Sequence, residues 1–331
     1  MPIHDVSASA DIGTGLAFRP ATVADARAYA EMTLAWRPDE PDDPHAAKHR
    51  WAHPAPGFIE ERWIVEVDGR PAGYAEHSKH QAGEDPEENG SLIAMLVPSH
   101  FTPARYRAAV AFLEERSRAA GARIFNVDLW EDEEARAALL LEMGYERDRL
   151  SKAWELDLVE HRDRLLVMAA RSKALMREQG IVINSVADDS DPEIWRRCFE
   201  AELRAAEDIP RSKPYVPPTF DQFDTWHSGP DSNPRWYFVA KDGERVVGFT
   251  SLHFPPVQGN VWTWFTGVLR EYRGRGIARA VKLEILTQAI AENVPAVRTD
   301  NDETNAPMLH VNEELGYRRI PGVISYRKTP A

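Results

Sequence analysis

The stretch Thr266-Gly-Val-Leu-Arg-Glu-Tyr-Arg273-Gly-Arg-Gly-Ile-Ala278 decides the reading of this chain. The residues before it, from Asn260 to Leu269, are rich in aromatic and β-branched types and read as a strand. Those after it, from Ile277 to about Asn293, follow a helical apolar pattern. A strand that turns through glycines into a helix leaves backbone N–H groups unpaired and adds the positive end of a helix dipole. Such a turn is an anion cradle suited to a pyrophosphate. Gly274 and Gly276 lack a Cβ, so backbone can approach a phosphate closely, and Arg273 and Arg275 add charge-assisted contacts. The same string, taken alone, also fits a solvated basic turn opening an amphipathic helix. A Rossmann-type dinucleotide loop is disfavoured, because its Gly-x-Gly-x-x-Gly spacing is absent.

Working outward, the elements around this loop come in a definite order. Ile181–Ile183 is a short strand, Asp191-Pro192 opens a helix to about Ala206, and the Pro-rich segment from Ile209 to Pro218 is a loop. Phe220–His227 is a second helix. Trp236–Ala240 and Arg245–Leu252 flank Asp242-Gly243 as a hairpin. After the helix that follows the glycines come the strand Ala296–Thr299, a helix from about Asn305 to Leu315-Gly316, and a strand carrying Val323–Arg327. The first half repeats this order, with a hairpin around Asp68-Gly69, a strand at Leu92–Val97, a helix at Pro103–Ala120 and a strand at Ile124–Leu129. Gly144-Tyr145 and Gly316-Tyr317 stand 172 positions apart, as do Leu96-Val97 and Val268-Leu269. A shared offset over separate landmarks implies an internal duplication. The expected organisation is a first domain over 1–156, a helical linker over 157–180 and a second domain over 181–331. The expected fold class is α/β (α+β), in two tandem domains, each with a mixed, mostly antiparallel sheet flanked by helices.

Composition sets the outer limits. A chain of 331 residues exceeds one ordinary compact core. Its net charge of −13 would repel phosphate backbones, so a general nucleic-acid partner is not expected. No apolar run approaches the ~20 residues needed to span a bilayer, and Met1–Gly15 lacks a signal-peptide core, so a cytoplasmic location without a membrane partner is expected. The single cysteine, Cys198, forms no internal disulfide and sits on a helix face, where a packed thiol is favoured over a nucleophile.

With these residues in place, the chain resembles the GCN5-related N-acetyltransferase (GNAT) family in its tandem form, of which mycothiol synthase is one branch. Arg273 to Ala278 fits that family's acyl-CoA loop, Gln/Arg-x-x-Gly-x-Gly/Ala, and Asn301, Asn305 and Leu315-Gly316-Tyr317 fall where the family has related elements. The resemblance implies acetyl-CoA as co-substrate, with no metal, held by Val268, Arg273, Gly274, Arg275, Gly276, Ile277, Ala278, Asn301 and Asn305. It also implies a bulged strand before the loop that splays from the strand at 296–299, with the backbone N–H of Val268 facing the thioester carbonyl. Asn305 equally suits a helix cap. Shifted by 172, the loop falls on Phe101–Tyr106, where both glycines are missing and Pro103 lacks a donor, while Asn305 falls on Glu133. The first domain reads as a degenerate copy without a CoA loop.

The implied reaction is acetyl transfer to an amine of a small molecule by direct attack. The alternatives are acetylation of a protein N-terminus or lysine, and a non-catalytic acyl-CoA-binding module. An amine must lose a proton before attack. Glu207 and Asp208 are candidates to relay it, as is His253, each also readable as structural or solvated. Many family members carry a Tyr near position 312 to protonate the departing sulfur; this chain has Asn312, leaving His310 or water. Trp262, Trp264 and Phe265 line either an acceptor slot or a core. A monomer or a homodimer is expected.

Overall fold

The computed structural model describes residues 14–330 apart from 82 and 212, so most of Met1–Gly15 lies outside the described residues. The chain forms two compact units: 1–149, 256–259 and 323–331 make the first, and 150–255 and 260–322 the second. In chain order the first contains β1 (Leu16–Pro20), α1 (Ala26–Trp36), α2 (Pro44–Ala52), β2 (Phe58–Val67), β3 (Arg70–His80), β4 (Asn89–Leu96), α3 (Pro103–Ala119), β5 (Ile124–Trp130) and α4 (Glu134–Glu142). The strand β6 (Glu146–Asp157) leads into the second. There follow α5 (Arg162–Glu178), β7 (Ile181–Ser185), α6 (Ile194–Ala206), α7 (Phe220–His227), β8 (Tyr237–Asp242), β9 (Arg245–His253) and β10 (Trp262–Val268). The chain closes with α8 (Ile277–Ala291), β11 (Ala296–Asp302), α9 (Ala306–Leu315) and β12 (Arg318–Lys328).

Strand order is β1-β2-β3-β4-β5-β12 in the first unit and β6-β11-β10-β9-β8-β7 in the second. Only β4–β5 and β10–β11 are parallel among these registered pairs. The mixed α/β class with a mostly antiparallel sheet therefore stands. Local chemistry accounts for the elements that were legible. Asp68 and Gly69 are both left-handed, at φ 51° and 70°, as a two-residue turn that keeps the strands' own twist requires. The Thr219 side chain accepts from the N–H of Gln222, whose side chain accepts in return from the Thr219 N–H, and this box starts α7. The helix α2 has no counterpart in the sequence reading. It buries only Ala46 and Ala47, and is started by Asp43, which accepts from the N–H groups of His45 and Ala46 at 2.8 and 3.0 Å.

The duplication extends to element boundaries. The starts of β5 and β11, α4 and α9, and β6 and β12 differ by 296 − 124, 306 − 134 and 318 − 146, each of which is 172. The units, however, do not follow the segments 1–156, 157–180 and 181–331. Val323–Lys328 of β12 pairs with β5 and sends Tyr326 into the first unit's core, while Ser151–Asp157 of β6 pairs with β11. Each half of the chain supplies the closing strand of the other half's sheet. Strand pairing across such separations depends on cross-strand packing and leaves no local signal. The segment 162–178 is likewise no linker: Leu165, Ala169, Ser172 and Met176 are buried at helical spacing, and α5 lies along α8 inside the second unit. Among the described residues, no helix is long and apolar enough to cross a membrane.

Candidate active site

The strand β10 pairs with β9 at Trp262–Thr263 and again at Thr266–Val268, and the register shifts between them, so Trp264 and Phe265 form a bulge. Its parallel pairing with β11 is confined to Trp262 and Arg298. Beyond that point the facing edges carry no common ladder, which leaves a slot. The Leu269 N–H donates to the Val247 carbonyl on β9 at 3.0 Å. Neighbouring peptide groups on a strand point to opposite sides, so the Val268 N–H is directed into the slot. Gly267 permits close cover: a Cβ there would stand 2.4 Å from the Phe249 ring and 2.8 Å from Ala205 of α6.

At the end of the slot lies the glycine turn. Gly274 and Gly276 have φ of 74° and 82°, and Gly276 is the N-cap of α8, contributing no side chain to the first N–H groups of that helix. No atom lies within 4 Å of a Cβ built on Gly274, so the loop's outer side is open. The arginines brace this loop. Arg273 donates from Nε to the Val268 carbonyl at 3.1 Å and pairs with Asp208 at 2.7 Å. Arg275 donates to the Gln179 side chain at 2.8 Å, and Gln179 returns a bond to the Arg275 carbonyl at 3.1 Å. An anion would thus meet the backbone donors beginning at Ile277 and Ala278, with the guanidinium groups anchoring the turn behind them. The Asn305 side chain caps α9 by accepting from the Met308 N–H at 3.5 Å, and the Asn301 Oδ1 accepts from the Asn312 Nδ2 at 2.6 Å.

The candidate proton-transfer residues fare differently. Asp208 is tied to Arg270 and Arg273, whose hydrogen bonds hold its carboxyl below the usual range, the wrong direction for a base. Glu207 is exposed at the end of α6. The His310 side chain is 70% exposed and faces Glu314 on the outer side of α9. His253 stacks on the exposed Trp264 ring at 4.6 Å with a 2° interplanar angle, and Phe265 packs edge-on against Phe249. Cys198 is fully buried, and burial pushes its thiol pKa up, so it is a packed thiol.

Two ionisable groups, Glu202 mostly buried and Lys282 wholly so, lie on stripes that the sequence does carry. Glu202 follows Cys198 by four residues and precedes Ala205 by three, all on the sheet-facing side of α6. Burial raises its pKa to about 7, and the Tyr237 hydroxyl donates to it at 2.7 Å. Lys282 falls on the stripe Ala278, Lys282, Ile285 and Ala289 of α8. It is 2% exposed, donates to the Asn312 side-chain oxygen at 3.1 Å, and sits 5.0 Å from the Tyr317 ring centroid. Burial lowers its pKa to about 7, with Asp300 opposing. The unfolded chain therefore holds a proton between about pH 7 and ~10.4 that the folded chain lacks, and stability rises with pH across that window. Lys282→Met should remove that rise, at most about 1.4 kcal/mol per pH unit, or ~3 °C. Thermal melts of both proteins at pH 7, 8 and 9 measure it; parallel slopes would refute it.

The corresponding place in the first unit is filled. Leu96 stands where Val268 does, and its carbonyl accepts from Arg136 of α4 at 2.8 Å. The Arg136 guanidinium also pairs with Glu133 at 2.6 Å and lies over the Trp36, Phe101 and Tyr106 rings at 4.9, 5.4 and 5.7 Å. The β4–β5 ladder extends over four residue pairs, Asn89–Ile124 to Leu92–Val127, and β3–β4 has no bulge. The Thr102 side chain takes up the Arg105 N–H at the start of α3, where α8 leaves its donors uncapped.

Several known proteins are similar to this chain. Residues 193–317 match the model of the acetyltransferase (GNAT) family. The chain is 28% identical over 153 residues to a mycothiol acetyltransferase of Thermomonospora curvata, covering 46% of this chain and 48% of that protein. It is 35% identical over 68 residues to an L-2,4-diaminobutyric acid acetyltransferase of Halalkalibacterium halodurans, covering 20% and 36% respectively. The chain thus spans half or less of the length of these curated relatives. Among solved structures, a tandem GNAT protein from the clavulanic acid biosynthesis pathway superposes with a TM-score of 0.74 at 20% identity, covering 96% of this chain and 99% of that one. A GCN5-related N-acetyltransferase from Sphaerobacter thermophilus gives 0.67 at 20% identity, covering 96% of each. At such identities the structural likeness concerns the fold.

Proposed function

We propose that this chain, whose residues 193–317 match the model of the acetyltransferase (GNAT) family, carries an acetyl group from acetyl-CoA to the amine of a small molecule. The observation that carries this reading is the Val268 N–H directed into a slot that ends at an uncapped, glycine-led helix. The turn at Gly274–Ala278 suits the pyrophosphate, and the divergent edges of β10 and β11 suit an extended pantetheine arm. A bound thioester would supply an activated acyl carbon. This chain's part is to hold its carbonyl oxygen at the Val268 N–H, where a preorganised donor meets developing negative charge. The Arg136 plug supports assigning cofactor binding to the second unit alone. Cytoplasmic location and the absence of a resident metal remain part of this reading.

The test is acetyl-CoA-dependent thiol release with a panel of acceptors: amino acids including L-2,4-diaminobutyrate, diamines, amino sugars, and peptides with a free N-terminus or lysine. Saturable release with a small amine is the expected result. Turnover confined to peptides would move the assignment to protein acetylation. Tight acetyl-CoA binding without turnover on any acceptor would make the chain an acyl-CoA-binding module.

A further inference from the structure

On the α6 side of the second unit's sheet, one carboxyl shares a cluster with polar atoms that have no partners. Glu202 lies among aromatic groups in a compact cluster. Tyr237 donates to it from β8, and the His227 Nε2 on α7 stands 3.4 Å from its Oε1 without a hydrogen bond. Both ring nitrogens of His227 are buried and unpartnered, as are the Tyr215 hydroxyl and the Ser251 hydroxyl. Ser251 faces Tyr237 directly across β8–β9 and shares its side of the sheet. Tyr215, in the connection between α6 and α7, interacts electrostatically with Glu202. Trp195 closes the group, 5.2 Å from Tyr237 and 5.7 Å from His227, centroid to centroid. Buried polar atoms are ordinarily hydrogen-bonded. Unpartnered polar atoms on three residues of this cluster, with the His227 ring 3.4 Å from the carboxyl, describe a place for a polar guest.

The cluster adjoins the slot. Ala205, three residues along α6 from Glu202 and on the same face, stands against Gly267, the residue before Val268. A carboxylate ringed by aromatic groups is also the chemistry that receives an ammonium ion. We infer that Glu202 receives the acceptor amine: a small primary ammonium docks at Glu202 beside the Tyr237 and His227 rings, and gives its proton to the Glu202 carboxylate. This rests on the acetyl-transfer reading above. The Glu202 oxygen takes one proton from R–NH3+, leaving R–NH2. The nitrogen lone pair forms the N–C bond, the C–S bond breaks with its electron pair on sulfur, and the second nitrogen proton ends on the thiol. Glu202 then returns its proton to water. Burial assists the first transfer on both sides, since it raises the pKa of a carboxyl and lowers that of an ammonium.

The groups facing Glu202 set its titration. Tyr237 donates to the carboxylate, and Cys198 lies one turn back on α6. His227 is held neutral, its pKa lowered to about 4 by burial and then by His253. Tyr215 carries the Arg211 guanidinium on its outer face at 4.3 Å, and His253 pairs with Asp231 at 3.6 Å. A Glu202 pKa near 7 against ~4.3 unfolded means that the folded chain holds the extra proton between those values. Stability is then lost as pH rises from about 4.5 to 7.

Three measurements on the full chain decide the matter. The first is kcat/KM from pH 5.5 to 9.5, using the panel amine with the highest turnover. Wild type should show a rising limb near pH 7, and Glu202→Gln should lose at least 100-fold activity along with that limb. Tyr237→Phe removes a donor to the charged form and should move the limb to higher pH. The second is stabilisation by acetyl-CoA, which Glu202→Gln should retain, showing that fold and cofactor site are intact. The third needs no turnover: the fall in melting temperature between pH 5 and 7 should be smaller in Glu202→Gln. Wild-type kcat/KM with an unchanged limb in Glu202→Gln overturns the assignment while leaving acetyl transfer standing. No turnover on any amine, with acetyl-CoA bound, overturns both.

Discussion

Valine at position 276 is expected to abolish acetyl-CoA binding, weakening it at least ~100-fold, or about 2.7 kcal/mol. Gly276 holds φ at 82° as the N-cap of α8, a conformation that a β-branched residue adopts only under strain. The backbone would relax toward negative φ and turn the first N–H groups of α8 away from a common focus. The substitution removes the cradle while leaving the core intact, because a Cβ here meets Leu175 and Arg279 only at 3.6 and 3.8 Å. The measurement is the rise in melting temperature with acetyl-CoA, which follows occupancy of the folded state. Pro103→Ala is the matched control in the first unit, where binding should be unchanged. Tyr106 is unsuitable for that purpose, being wholly buried in the first core. Loss of binding in Pro103→Ala but not in Gly276→Val would move the cofactor to the first unit and overturn the assignment.

Removal of residues 323–331 is expected to unfold the first unit. Six residues of β12 pair with β5, from Val323–Trp130 to Lys328–Phe125. Tyr326 is 5% exposed within the first core, and Lys328 pairs at 2.8 Å with Glu114, itself 8% exposed. At ~0.5–1.5 kcal/mol per hydrogen bond and ~2 kcal/mol for the buried ring, the loss exceeds ~5 kcal/mol, even before Glu114 loses its nearest cation. That is comparable to the whole stability of an ordinary domain, about 5–15 kcal/mol. Calorimetry should show the disappearance of one transition, with Tyr326→Ala giving an intermediate loss of ~3 kcal/mol. A truncated chain melting within about 2 °C of the full one in both transitions would contradict the pairing.

What the sequence made legible had local causes. The bounds of α7 follow from the reciprocal cap at Thr219 and Gln222, the hairpins from Asp-Gly pairs, and the cradle from two glycines between a strand and a helix. What stayed hidden was set by distant partners. Asp208 reads as a free helix-end acid until Arg270 and Arg273, more than sixty residues on, are seen to hold it. Glu202 and Lys282 are lone charges on apolar stripes, and a lone charge on a helix reads as solvated unless the stripe is followed through it. The charged outer face of α5 suggested a linker because its inner face is spelled by an alanine and a serine as well as by leucine and methionine. Nothing near residue 326 announces that its strand belongs with β5.

The exchanged strands have a consequence for the chain during its synthesis. From Trp130 to Val323 there are 323 − 130 = 193 residues, about 10–40 s of translation at roughly 5–20 residues per second. Throughout that interval the growing polypeptide carries β5 with one edge unpaired, a template for any passing strand. The amino-terminal half, although made first, cannot finish first. Its completion waits for Val323–Lys328 to leave the ribosome.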